Sequence, residues 1–134
     1  MRMKPALTLE DVATLIDICH AKSTELRERG TIAIVDFGGH LLYLERPDHQ
    51  SPNSVEVATA KARTAAFRER TSASLAERVK EKPGWLRFPN GLPMAGGVPI
   101  FYEGVCVGGI GVSGIGDNDE VVAEHAVASF KAVI

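Results

Sequence analysis

The chain has no apolar run near the roughly 18 residues that a membrane-spanning helix needs, so no membrane span is expected. Its amino terminus, MRMKPALTLEDV, lacks the apolar core of a secretory signal, which points to a cytoplasmic protein. Neither sign of charge is in excess. Fifteen Lys and Arg stand against 17 Asp and Glu, and a formal net charge of −2 gives no global field that would draw nucleic acid. Cysteine is scarce: Cys19 and Cys106 both fall in stretches that read as regular structure, so buried free thiols are expected rather than a disulfide framework. The four histidines, His20, His40, His49 and His125, include no pair at the H-x-x-x-H spacing of a metal motif. Linkers and low-complexity segments are also missing. What remains is a 134-residue chain, 45% hydrophobic and 24% charged, enough for a single domain over residues 1–134 with one core.

The apolar spacing predicts six units in order. Thr8 opens a first helix, with Asp11 three residues later completing a capping box, and Leu9, Val12, Ile16, Cys19, Ser23 and Leu26 recur at helical spacing up to a stop at Gly30. Thr31 to Arg46 is rich in β-branched and apolar residues and broken by Gly38-Gly39, which reads as a hairpin. An alanine-rich helix is expected over 55–70 and a shorter one over 74–80. The Pro-rich segment 81–97 is irregular, and Trp85, Phe88 and Met94 on it read as a lid over the core. A second hairpin runs from about Gly97 to Val112 and turns at Glu103-Gly104, and a last helix starts near Asp117 and reaches the C-terminus. Sequential hairpins with helices set apart from them make an α+β domain with an antiparallel sheet.

Gly109, Gly111 and Gly114 spell G-x-G-x-x-G, the written form of a dinucleotide fingerprint. The context does not support it. A dinucleotide site needs a βαβ unit, and only 20 residues of helical character follow Gly114. The helix start that would face a pyrophosphate already carries Asp117, Asp119 and Glu120. Gly109 and Gly111 share one face of a strand, and that face is bare. Either a neighbouring element lies directly on it or a flat ligand does.

Several motifs in order, GGVPI, VGGIGVSG, DE, AIVDFGGHLL, ERPD, AKARTAAF and RTS, resemble the GlcG/HbpS-type proteins, a family that includes the carboxy-terminal domain of the PduO corrinoid adenosyltransferases. The similarity runs from Leu7 to Phe130. The resemblance implies an antiparallel sheet of about five strands flanked by helices, profilin-like or PAS-like, in a protein that is usually a homo-oligomer. It also implies haem or a corrinoid as the cofactor to consider, and a role in bacterial catabolism, since some relatives bind haem and others are encoded beside catabolic enzymes.

Two functions follow as expectations. The first is a module that binds a small anionic or tetrapyrrole ligand. Arg46, Asp48, Lys61 and Thr64, with the smooth Gly109/Gly111 face, would form its site: arginine grips a carboxylate bidentately, lysine acts as a point charge, and Thr64 lies at i+3 from Lys61. Here His20, on the flank of the first helix's apolar stripe, is the candidate haem ligand, because haem-binding relatives can use a side chain near this surface. The second is a small isomerase- or lyase-type enzyme on a carboxylate substrate. Lys61, desolvated among alanines, would be its base or Schiff-base nucleophile, Arg46 its substrate anchor, and Asp36 or Asp48 its proton shuttle. Asp36 also suits the Gly38-Gly39 turn by bonding nearby amides.

Overall fold

The computed structural model describes residues 1–132. Along the chain lie α1 (Leu9–Leu26), β1 (Thr31–Asp36), β2 (Leu41–Glu45), α2 (Asn53–Arg68), α3 (Ser72–Glu81), a 3-10 turn (Pro83–Arg87), β3 (Gly97–Tyr102), β4 (Val105–Ser113) and α4 (Asn118–Ser129). The α+β class is as expected. The two hairpins supply all four strands of the sheet, in the order β2-β1-β4-β3, with every neighbour antiparallel. The fifth strand implied by the family resemblance is therefore not found among the described residues.

The first helix begins as its residues dictate. Thr8 Oγ1 accepts from the Asp11 amide at 3.1 Å, and Asp11 Oδ2 accepts from the Thr8 amide at 3.0 Å. Such a cap is worth about 1 kcal/mol. It ends earlier than expected. Arg27 takes the left-handed conformation at φ 58° and returns its N–H to the Ser23 and Thr24 carbonyls. Gly30 is not the stop. It is buried against the end of β4, where a Cβ would lie 2.8 Å from the Ser113 carbonyl oxygen. At the other end, α4 stops at Ser129, with Phe130 already extended; the last part of the helix expected there, residues 133–134, lies outside the described residues.

The sheet has two unlike faces. On one, Ile32, Ile34, Ile100, Ile110 and Val112 pack with Leu15 and Cys19 of α1 and Val122 and Ala126 of α4. On the other, Ala33 and Val35 meet Ala58, Ala62 and Ala66 of α2. Only small residues meet there, because α2 rests on the backbone of β4. A Cβ at Gly111 would collide with the Ala58 carbonyl oxygen and lie 2.7 Å from the Ala62 nitrogen; one at Gly109 would collide with the Ala62 carbonyl oxygen. Helix α2 thus covers the bare glycine face, and Gly109 and Gly111 are packing residues rather than a ligand seat. Among the described residues no helix is long and apolar enough to cross a membrane.

Candidate functional site

The chemistry-bearing cluster lies where α1 crosses the edge strand β2, on the sheet face away from α2. Period-two alternation puts Tyr43 and Glu45 on one side of β2, opposite Ile34 and Ile32 of β1. Helix α1 brings His20 above them. His20 Nε2 lies 2.8 Å from both Oε1 and Oε2 of Glu45. The Tyr43 hydroxyl donates to Oε1 at 2.9 Å, and Arg29 Nη2 donates to Oε2 at 3.4 Å.

Glu45 is the hub of this cluster. Burial works against its ionisation, but hydrogen bonds from His20 and Tyr43, with the electrostatic pull of the His20 and Arg29 side chains, outweigh that and hold its carboxyl below the ordinary value. Burial and the bond to Glu45 push the Tyr43 hydroxyl up, so it stays a donor. Beneath them the Cys19 thiol is pushed up to about 12 by burial and by the Glu45 charge, which makes it an inert core group.

An ionised carboxylate only accepts hydrogen bonds, so the proton on His20 sits on Nε2. In the neutral ring Nδ1 then carries the lone pair. The His20 side chain as a whole is 36% exposed. A carboxylate that fixes tautomer and orientation is the usual companion of a metal-ligating imidazole. Among the described residues no group of three or more His, Cys, Asp and Glu side chains is placed to cage an ion. A single imidazole therefore suits a metal that brings its other ligands with it, as a tetrapyrrole does.

The remaining expected site residues are scattered. Arg46 and Asp48 are exposed in the loop after β2, and no hydrogen bond or ion pair engages either side chain among the described residues. Lys61 lies across the sheet and is 2% exposed. Its ammonium donates to the Val112 carbonyl at 3.0 Å and to Asp119 Oδ2 at 3.0 Å, while Asp119 Oδ1 accepts from the Ile115 amide. This tie fastens α2 to the end of β4 and the start of α4. Thr64 is buried and pins the 90–92 loop, accepting from the Leu92 amide at 2.8 Å with its hydroxyl 2.7 Å from the Ala60 carbonyl. Asp36 closes the first hairpin, its Oδ1 accepting from the Gly38 amide at 2.9 Å and the His40 amide at 3.0 Å. Thus Arg46 and Lys61 are not brought together, and His20 belongs to a cluster on the other face of the sheet. Sequence reasoning missed Glu45, Tyr43 and Arg29; the alternation that sets Tyr43 and Glu45 on one face was the signal available.

The family model described as "Haem degrading protein HbpS-like" matches residues 7–128. The GlcG protein of Escherichia coli K12 is 32% identical over 114 residues, 84% of this chain and 85% of GlcG. The chain belongs to the HbpS-like family. Solved HbpS-like structures agree in fold. A crystal structure of HbpS superposes with a TM-score of 0.87 at 32% identity, covering 96% of this chain and 92% of HbpS. PduOC, crystallised as a haem complex, superposes with a TM-score of 0.83 at 24% identity over 96% of this chain and 98% of its own.

Proposed function

We propose that this HbpS-like domain binds a tetrapyrrole, haem in the first instance, through His20. The observation that carries this reading is the His20–Glu45 pair: a half-exposed imidazole whose second nitrogen is held by an ionised carboxylate. Membership of a family described as haem-degrading, and the crystallisation of PduOC as a haem complex, support the choice of ligand. When bound, the haem iron supplies the redox and diatomic-ligand chemistry. The chain's own residues do the holding: His20 presents Nδ1, Glu45 keeps the ring in one tautomer and one orientation, Tyr43 keeps Glu45 in place, and Arg29 is the cation at hand for a ligand carboxylate. The catabolic-enzyme reading has less support, because Lys61 is engaged on two sides and 2% exposed, so a substrate would have to displace Asp119 to reach it. Self-association is part of the proposal. The edge strand β2 lacks Lys and Pro, and Leu41 and Leu44 on it are exposed, which is the kind of edge that proteins usually cover.

Haemin titrated into the protein should give a saturable shift of the Soret band, and His20→Ala should weaken it. A non-saturating spectrum, or one that His20→Ala leaves unchanged, would contradict the proposal.

A further inference from the structure

The near-zero net charge conceals a segregation. Between residues 63 and 87 lie Arg63, Arg68, Arg70, Arg78, Lys80, Lys82 and Arg87, seven of the fifteen cations of the chain, against three carboxylates, Glu69, Glu77 and Glu81. Glu77 is taken by Lys80 at 3.1 Å. No ion pair engages the other six cations among the described residues.

These cations are organised around two aromatic rings. Trp85 and Phe88 stack with centroids 5.5 Å apart. Arg78 lies over Trp85 at 5.0 Å and Arg68 over Phe88 at 5.7 Å. A guanidinium held over a ring has already given up part of its rotamer freedom, so it can grip an anion at a lower entropic cost. Arg68 also donates to Ser74 Oγ at 2.8 Å, which fixes it further. Its guanidinium is held below the ordinary value by burial and by the charges of Arg70 and Arg78, so the three form an uncompensated positive cluster. Two open hollows share Phe88 as a wall. One, of about 290 Å³, is also lined by Arg63, and the other, of about 350 Å³, by Lys82, Trp85 and Arg87.

We infer that this surface, on the α2–α3 side of the molecule and apart from His20, binds consecutive phosphate groups. Five of its six unpaired cations are arginines, whose planar fork matches phosphate oxygens in pairs. Clustered cations favour a ligand with several closely spaced charges over a single carboxylate. The same chemistry is offered by a free oligophosphate and by the backbone of a single nucleic-acid strand. The whole-chain charge, which argues against a general attraction to nucleic acid, does not bear on so local a patch.

Trp85 is the only tryptophan, so its fluorescence reports on this surface alone. The protein is titrated at low salt with inorganic tripolyphosphate, with a twelve-residue oligothymidylate and with poly-glutamate. At least one phosphate probe should change the emission saturably, and Arg87→Gln and Lys82→Gln should each weaken its binding while leaving the melting temperature unchanged. Saturation by tripolyphosphate identifies a free ligand as the source. Binding of the oligonucleotide alone identifies a strand, and each substitution should then lower the slope of log affinity against log salt by about 0.7. No binding by either phosphate probe, equal binding by poly-glutamate, or an affinity indifferent to both substitutions would overturn the inference.

Discussion

Gly111 lies directly beneath the Ala58 carbonyl of α2, close enough that a single added carbon would collide with it. The contact accounts for the G-x-G-x-x-G spelling: the glycines of β4 let a helix of alanines settle on the strand backbone. A Gly111→Leu side chain must push α2 away, and overpacking of this kind costs about 1–3 kcal/mol. The melting temperature should fall while haemin affinity holds, because His20 is on the opposite face of the sheet. Calorimetry should show no micromolar binding of NAD or FAD. Nucleotide binding that Gly111→Leu abolishes would reverse this reading of the strand.

Lys61 and Asp119 make the second test. Removing one member of a buried, hydrogen-bonded ion pair strands the other and costs roughly 3–5 kcal/mol. Lys61→Met should therefore lower the melting temperature by on the order of 10 °C. Replacing both, as Lys61→Met with Asp119→Leu, should recover part of the loss. A Lys61→Met protein that melts like the parent but fails to bind a carboxylate ligand would restore the lysine to a binding role.

Two carboxylates should give stability opposite dependences on pH. Glu45 titrates below its ordinary value in the folded protein, so the stability it contributes is complete above about pH 4.5 and is lost as pH falls through its lowered folded value. Glu120 titrates above its ordinary value, because of burial and the neighbouring Glu124 charge. Its ionisation weakens the fold as pH rises through that raised value. Melting curves from pH 3 to 7 should show Glu45→Gln less stable than the parent near neutrality and converging with it in acid. Glu120→Gln should be more stable near neutrality and converge likewise. Parallel curves for either variant would contradict the assignment.

Much of this fold was legible in the residues. Two hairpins predicted four strands, and four are present among the described residues; the count of five came from family resemblance and not from the chain's own pattern. The Thr8–Asp11 box and the Glu103-Gly104 turn are local, so spacing alone revealed them. Helix ends were less legible, since α1 stops at a left-handed Arg27 that propensity does not single out. The partner of Lys61 was not legible at all. Asp119 is 58 residues away, and its place at the start of α4 suggested only a charge on the helix dipole. His20 was identifiable as a boundary residue, but the group that orients it, Glu45, is 25 residues on, and no periodicity links a helix face to a strand in another layer.

The central claim is that His20 ligates the metal of a bound tetrapyrrole. It is tested most directly by adding imidazole to the haemin complex of His20→Gly, a variant that leaves room for the missing ring. The account predicts that the Soret band, altered by the substitution, returns to the position seen for the parent as free imidazole fills the gap. A variant whose haemin spectrum already matches that of the parent, with no response to imidazole, would contradict it.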